Sequence, residues 1–338
     1  MIIKNIFFNC LFILIILFNN VLCENKISVD SNILLSSNST TLDNTPLKVA
    51  LCTIGKKENR YAREYVEYYK NLGLTKIFLY DNNDLNDEKF EEVINDYIEN
   101  GFVNIINKRG EISIHSGNII KNPTFEVFSD CYYKNYKNYD WLFFFDMDEF
   151  LSIDYRYNNI FEFLNDFKEY DGIKVQWRVY GDNGKLHYEN KPVIERFKDK
   201  NNMKYSTQVK CILKCKEYPY ELKFNEHGIF NKEPYIVNVM KIRIIPEPNV
   251  YPLDLTNNSI PYNNLPVYLD HFQTKSTKEY IERQYHSFIK AFNWDYYSFR
   301  EIKRRYFNIN KTTKKKLRLF KKFEKKIENR KKELEKRS

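Results

Sequence analysis

Glycine is scarce in this sequence, and its scarcity excludes the commonest nucleotide-binding loops. Only 9 of the 338 residues are glycine, and neither a P-loop nor a G-x-G-x-x-G pattern occurs. The segment after the first predicted strand, residues 54–58, contains Gly55 alone. If the chain binds a nucleotide, then carboxylates, a metal ion and loop groups must hold it.

The body of the chain also lacks an excess of positive charge. The formal net charge is +9, but residues 311–338 hold fourteen Lys and Arg against four Glu, which leaves −1 for residues 1–310. We therefore expect no nucleic-acid partner. The tail, residues 301–338, is expected to be a basic helix or a disordered segment, and the simplest interpretation is a solvated helix. A polyanion- or membrane-binding module is the alternative.

The N-terminus is typical of a targeting segment. Lys4 precedes an apolar run over residues 6–18, and apolar character resumes at 21–23. This length is at the lower limit of a membrane span, and Val21 and Cys23 fit a cleavage pattern moderately. We therefore expect residues 1–23 to be a signal peptide or a signal anchor, which if uncleaved would attach the protein to the membrane through residues 6–23. Residues 24–46, rich in Ser, Asn and Thr, form a flexible stem.

Either interpretation places the rest of the chain in the secretory pathway. We expect a type II membrane protein of the Golgi or ER lumen, or a secreted protein if the N-terminus is cleaved. Three N-glycosylation sequons agree with this location, and they begin at Asn38, Asn257 and Asn310.

Four cysteines lie beyond the targeting segment, namely Cys52, Cys131, Cys211 and Cys215. They suffice for two disulfides in one of three connectivities. The alternative is half a zinc site at Cys211 and Cys215, but no second Cys/His pair has a matching spacing. We expect one or more disulfides.

From residue 47 onward, strand and helix patterns alternate. Predicted strands cover residues 47–52, 76–80, 102–106 and 141–145, with amphipathic helices between them. Short connections of this kind imply a parallel sheet with right-handed crossovers. Further strands, within 173–177, 209–213 and 235–245, then follow. We predict an α/β fold with a Rossmann-like nucleotide half and a more β-rich acceptor half, together covering residues 47–300.

Two aspartates follow the buried strand 141–145. In extended backbone, Asp146 and Asp148 point the same way, so their carboxylates can converge. Ligands of open α/β sheets bind just past the carboxyl ends of the strands, where Thr53 and Asp81 are also expected. Paired carboxylates suit Mg²⁺ or Mn²⁺, and such a metal suits a phosphate. The alternative is a solvated loop after a core strand.

Four segments resemble the GT-A-fold glycosyltransferases, most closely glycosyltransferase family 92 and the family 2-like group. In order, they are residues 64–73 with 78–82, residues 130–131 with 146–150, residues 210–227 and residues 271–276. They resemble E-W-x-x-Y-H-x-x-x-G … Y-D-N, D-x-D-E-F, K-x-x-x-(R/P) … H and H-Y-x-x-K-S, respectively. Three aromatic replacements depart from these patterns, at Tyr65, Tyr69 and Phe272.

The resemblance implies roles for particular residues. Asp146 and Asp148 would bind the metal and the donor diphosphate, and His271 would complete the metal shell. Asp81 would contact the base or ribose, and Lys275 the donor phosphates. Each has a structural alternative: an Asx turn at Asp81, a structural histidine at His271 and a solvated cation at Lys275.

The implied activity is a metal-dependent, hexosyltransferase-like and inverting sugar transfer. A nucleotide-sugar would donate to a hydroxyl of a glycan or glycoconjugate, with Mn²⁺ or Mg²⁺ as cofactor. An inactive carbohydrate-binding relative and a metal-dependent nucleotidyl or phosphoryl transferase are the alternatives. The candidate catalytic bases are Asp182 and Glu226, with Glu195 beside them, and the sequence does not choose among them. Because the resemblance ends before residue 300, residues 312–338 are expected to be dispensable.

Overall fold

The structure is a computed structural model that describes most of the chain after residue 45. The described residues are 46–110, 115–116, 119–120, 123–218, 221–222, 224–225, 227–229, 234–243, 264–284 and 296–336. The predicted targeting segment, nearly all of the stem, Glu226 and the sequons at Asn38 and Asn257 lie outside these ranges. In the described part, no helix is long and apolar enough to cross a membrane.

The first half consists of alternating strands and helices, as predicted. Its elements are β1 (Val49–Gly55), α1 (Asn59–Leu72), β2 (Lys76–Asp81), α2 (Glu91–Glu99), β3 (Val103–Asn107), β4 (His115–Ser116), β5 (Ile119–Ile120), α3 (Pro123–Asn135) and β6 (Trp141–Phe144). Gly73 ends α1 with a left-handed φ of 107°, which glycine adopts without steric cost.

The second half is richer in strands. Its elements are β7 (Glu149–Ile153), α4 (Ile160–Asp166), β8 (Gly172–Tyr180), α5 (Val193–Phe197), a 3₁₀ turn (Lys200–Asn202), β9 (Met203–Lys214), β10 (Phe224–Asn225), β11 (Gly228–Ile229), β12 (Ile236–Asn238), β13 (Val267–His271), α6 (Thr277–Gln284), α7 (Tyr296–Ile309) and α8 (Lys314–Glu335). The Asn159 side chain caps α4. Ser276 and Glu279 exchange side-chain-to-backbone hydrogen bonds at the start of α6, which is the arrangement of a capping box.

Nine of these strands form one mixed, mostly parallel sheet. The order is β3-β2-β1-β6-β9-β8-β13-β7, and β12 pairs with the other end of β8. The neighbours β3, β2, β1 and β6 are all parallel, whereas β9 and β7 run antiparallel to their partners. This architecture confirms the predicted GT-A-type fold class, in which a parallel nucleotide half precedes a more β-rich half.

The central strands are buried on both faces, as their apolar runs predict. Alternate residues of β6 pack into two separate clusters of buried side chains: Trp141 and Phe143 into one, Leu142 and Phe144 into the other. The second cluster lies under α3, and there Cys131 forms a disulfide with Cys52 of β1. Cys211 and Cys215 are free, so the structure contains one of the two disulfides that four cysteines allow.

The C-terminal tail is helical and packs on the rest of the protein. The predicted boundary after residue 300 falls inside α7. Apolar side chains of α6, α7 and α8 form a third buried cluster that includes Tyr280, Phe299, Tyr306, Phe320 and Phe323. The tail is therefore not a solvated helix along its whole circumference, because α8 buries one stripe of mostly apolar side chains and exposes most of its lysines.

Candidate active site

The two predicted metal-binding aspartates lie in a turn, and not in extended backbone as we expected. β6 ends at Phe144, residues 147–148 form the turn and β7 begins at Glu149. β1 passes close to this turn, since a Cβ at Gly55 would clash with Met147 Sδ. Each of the two carboxylates contacts a different cation.

Asp146 pairs with a lysine from the neighbouring strand. Lys210 of β9 is fully buried, and its Nζ lies 2.7 Å from Asp146 Oδ2 and 3.7 Å from Glu149 Oε1. Burial alone would raise the pKa of Asp146, but the Lys210 ammonium outweighs burial and lowers it. Glu149 is more deeply buried, and desolvation raises its pKa well above the usual value. Its Oε2 accepts a hydrogen bond from the Asp146 amide at 2.8 Å, which braces the turn.

Asp148 is buried and lies between an arginine and a histidine. Arg283, near the end of α6, donates a hydrogen bond to Asp148 Oδ2, and His271 Nε2 lies 3.5 Å from Asp148 Oδ1. Burial would raise the pKa of Asp148, but Arg283 and His271 together lower it well below its usual range. The structure thus brings Asp148 and His271 together as predicted, and adds Arg283.

The second histidine, His227, packs against Trp177 and lies close enough to Lys210 and Asp146 to interact with their charges. The Trp177 ring lies 4.4 Å from the His271 ring and 5.8 Å from the His227 ring, between centroids. His227 Nδ1 lies 2.8 Å from the Val209 carbonyl oxygen. Burial and the nearby Lys210 lower the pKa of His227 to about 4, so this imidazole is neutral at neutral pH.

The donor atoms at the turn fit a divalent cation in part. Asp148 Oδ1, Glu149 Oε1 and His271 Nδ1 are buried and take part in no hydrogen bond within the described residues. Carboxylate oxygen and imidazole nitrogen are ligands that Mn²⁺ accepts. Among the described side chains, however, no three His, Cys, Asp or Glu are arranged as a complete metal site. A cation bound at Asp148 and His271 would need the phosphate oxygens of a ligand to complete its shell.

A cavity of about 480 Å³ opens beside Asp148, with Arg283 in its wall. It lies beyond the carboxyl ends of β1, β2 and β13, where ligands of α/β sheets bind. Lys275 lines it and is buried, with Nζ 3.3 Å from Glu58 Oε2 and 3.9 Å from the centre of the Tyr61 ring. Burial raises the pKa of Glu58 even though Lys275 opposes the shift. The Lys275 ammonium is therefore fixed by its contacts in the wall of a cavity large enough for a ligand. It is not the solvated cation of the structural alternative.

Thr53 and Asp81 lie at the strand ends where we expected them. Thr53 is fully buried, beside Tyr65, whose pKa is raised well above its usual value by burial. Asp81 accepts hydrogen bonds from the amide and side chain of Asn83 at 2.9 and 2.8 Å, which is the Asx-turn alternative. Its other oxygen accepts a 2.6 Å hydrogen bond from Arg109. The nucleotide role of Asp81 stays a prediction.

The candidate bases lie in other surroundings. Asp182 is buried, and its oxygens accept hydrogen bonds from Tyr306 and the Gly184 amide. It also forms an ion pair with Lys316 at 2.6 Å. Glu195 is 60% exposed and lies 3.6 Å from Lys191. Asp182 therefore holds the tail through Lys316, and Glu226 lies outside the described residues.

Sequence reasoning missed the cations Lys210 and Arg283 and the acid Glu58. Lys210 opens the third resembling segment, and its position in a strand next to β6 could have suggested a partner for Asp146. Arg283 lies seven residues beyond Ser276 on the predicted helix, and no short-range pattern connects it to Asp148. Only the packing of α6 against the turn shows this contact.

The sequence profile of glycosyltransferase family 92 matches residues 45–243, more than half of the chain. The chain belongs to glycosyltransferase family 92. The matched range includes Asp81, Asp146, Asp148 and Lys210, whereas β13, α6 and the two tail helices lie beyond it. Family 92 membership confirms the resemblance seen in the sequence and supports a role in glycosyl transfer.

Two solved structures are similar to the family 92 chain at low identity. Staphylococcus aureus TarS is 11% identical with a TM-score of 0.27, over 42% of this chain and 23% of TarS. Core-mannan synthase A of Aspergillus fumigatus, in its Mn/GDP form, is 12% identical with a TM-score of 0.24, over 48% of this chain and 52% of its own. The chain thus spans under a quarter of the first and about half of the second. No curated protein matches the chain significantly.

Proposed function

We propose that this family 92 protein transfers a sugar from a nucleotide-sugar donor to a hydroxyl of a glycan or glycoconjugate, with inversion. The observation that supports this most directly is the position of Asp148. It is buried, holds one oxygen toward His271 and the other toward Arg283, and lies beside the cationic cavity. A nucleoside diphosphate is the ligand whose charge and size suit such a cavity.

The chain's own residues supply binding and charge stabilisation. Lys275 and Arg283 face the cavity as fixed cations, so they would stabilise the negative charge that grows on the leaving diphosphate. Asp148 and His271, with Asp146 nearby, would hold Mn²⁺ or Mg²⁺, which supplies further charge neutralisation when bound. The cation requirement is part of the proposal.

A secretory location is also part of the proposal. The Cys52–Cys131 disulfide is buried in the nucleotide half and closes a loop with a sequence separation of 79 residues. Structural disulfides form in oxidising compartments and are rare in the cytosol. The disulfide therefore favours the lumen of the secretory pathway, in agreement with the targeting segment predicted for residues 1–23. Protease protection of microsomes that carry the full chain would test this location.

The test is a screen of nucleotide-sugars for hydrolysis and transfer by residues 46–338, which form one compact unit. We expect turnover of one donor class, its loss on chelation, and its loss in Asp148→Asn with an unchanged melting temperature. Asp166→Asn is the matched control, because Asp166 pairs with Lys241 on the surface. Release of a nucleoside monophosphate would favour nucleotidyl transfer, and nucleotide binding without any turnover would favour an inactive relative.

A further inference from the structure

The cavity beside Asp148 has a wall that comes from the C-terminal helix. Phe323 and Lys326 of α8 line it, together with residues of the loop after β1 and residues 273–283 around α6. Both α8 residues lie 80 residues or more beyond the end of the family-matched range. The tail that we expected to be dispensable thus borders the candidate donor site.

A buried stripe holds α8 in place. Lys316, Phe320, Phe323 and Ile327 are all at most 6% exposed, and their spacing of four, three and four residues puts them on one side of the helix. At the start of the stripe, Lys316 pairs with Asp182 at 2.6 Å, and each side chain is 2% exposed. Because the pair is buried, it fixes the helix along its axis as well as in rotation.

This packing determines where the lysines of α8 point. Lys326 follows Phe323 by three residues, so it lies on the same side of the helix, at the flank of the buried stripe. Lys325 is about 100° further around the helix, is exposed, and does not line the cavity. Both lysines are exposed, but only Lys326 lines the cavity.

Cationic side chains outnumber acidic ones in the lining of the cavity. Seven cationic and four acidic side chains line it. Three of the cations, Lys56, Lys57 and Arg283, pair with carboxylates just outside the lining, those of Asp84, Asp87 and Asp148. Two of the cations, Lys57 and Lys275, have left-handed backbone with φ of 60° and 46°. Such conformations cost a non-glycine residue about 1 kcal/mol or more and cluster at functional sites. The surrounding structure maintains these two lysines at the cavity despite that cost.

We propose that α8 is part of the donor site, with Phe323 closing the cavity and Lys326 contributing charge to bind the diphosphate of the nucleotide. This inference rests on the proposed function. It assigns the affinity for the donor partly to a segment outside the family-matched range. Removal of residues 312–338 is then expected to impair both the fold and donor binding.

The test measures binding of UDP and GDP by calorimetry to the full chain, with Mn²⁺ present. We expect Lys326→Gln to weaken binding of whichever nucleotide binds by about 3- to 10-fold, and Lys326→Glu to weaken it further. Lys325→Gln should leave the affinity unchanged. The wild-type affinity should fall with salt, and this dependence should be smaller in Lys326→Gln. Unchanged melting temperatures would separate this effect from a structural one.

The outcomes separate the two proposals. If wild type binds UDP or GDP and Lys326→Gln binds it equally well, then α8 is no part of the donor site and this inference is wrong. Equal losses in Lys325→Gln and Lys326→Gln would also overturn it, because they would indicate only a diffuse charge effect. If wild type binds neither nucleotide, the proposed function itself is wrong, and the inference fails with it.

Discussion

Arg283 donates a hydrogen bond from Nη1 to Oδ2 of Asp148, the second aspartate of the turn between β6 and β7. Lys210 makes the equivalent contact with Asp146. Both carboxylates therefore carry a cation from the protein itself, at the place where a divalent metal is proposed to bind. Without such partners the two negatively charged carboxylates would repel each other, and the buried Asp148 would take up a proton more readily. Arg283 and Lys210 keep both ionised.

This arrangement predicts that Arg283 competes with the metal. A divalent cation at Asp148 must share or displace the guanidinium, so Arg283→Gln should tighten Mn²⁺ binding by about tenfold, or ~1.4 kcal/mol. Titration of Mn²⁺ followed by electron paramagnetic resonance measures this directly. Arg60→Gln is the control, because Arg60 lines the same cavity but pairs with Glu282. Weaker Mn²⁺ binding in Arg283→Gln would contradict competition.

The second prediction concerns the buried pair of Asp182 and Lys316. Removal of one partner from a buried ion pair leaves an uncompensated charge and costs about 3–5 kcal/mol. We expect Lys316→Met to lower the melting temperature by roughly 10 °C. Lys315→Met, at an exposed neighbouring position, should change it little. Thermal unfolding followed by circular dichroism makes the comparison.

Asp182→Asn should lose stability in the same way. This variant also tests the base assignment made from the sequence. A catalytic base would lose kcat with an unchanged melting temperature, whereas a tail anchor loses stability first. A stable but inactive Asp182→Asn protein would therefore restore Asp182 as the base and contradict our interpretation of the tail contact.

The sequence predicted the nucleotide half well because its signals are local. The apolar runs at residues 76–80, 102–106 and 141–145, with amphipathic helices between the predicted strands, depend on neighbours a few residues apart. These three strands, β2, β3 and β6, formed within one residue of their predicted bounds, whereas the strand predicted at 47–52 formed at 49–55. The class of fold follows from their alternation.

The site was predicted only in outline, because its contacts join distant parts of the chain. Asp148 meets Arg283 across 135 residues, and Asp182 meets Lys316 across a similar distance. Such pairs leave no periodic pattern in the sequence. The prediction that Asp146 and Asp148 lie in extended backbone was wrong because the chain turns at Met147. An i, i+2 spacing does not indicate where a strand ends. The tail was predicted to be a solvated helix because of its many lysines. The buried stripe of α8 is recognised only from its packing against α6 and α7.

The third prediction concerns the cysteines. Burial raises the pKa of Cys211 to about 12, and it raises that of Cys215 as well, so neither thiol should ionise near pH 8. Native residues 46–338 should therefore resist iodoacetamide. After unfolding without reductant, mass spectrometry should show two alkylated cysteines, and after reduction four. Four without reductant would rule out the Cys52–Cys131 disulfide.

That disulfide should also contribute to stability. Its sequence separation of 79 residues corresponds to about 4.5 kcal/mol of loop-closure entropy in the unfolded chain. We expect the Cys52→Ala, Cys131→Ala double variant to unfold at a clearly lower temperature. Cys215→Ala removes a free and only partly buried thiol and should have a much smaller effect.

The last prediction decides between two roles of Asp81. Its carboxylate is 2% exposed and pairs at 2.6 Å with Arg109. The other side-chain contacts of Arg109 are to the carbonyl oxygens of Asp84, Asp87 and Glu88.

If the pair serves to shape this loop, Asp81→Asn and Arg109→Gln should each cost about 2–3 kcal/mol of stability. In a double-mutant cycle they should couple by at least about 1 kcal/mol. Asp96→Asn, which breaks the exposed Arg63–Asp96 pair, should change the stability much less, because solvent screens that pair. UDP and GDP affinity should then fall equally in both Asp81 and Arg109 variants. If only Asp81→Asn loses nucleotide binding, then Asp81 contacts the nucleotide itself, as the family resemblance implied.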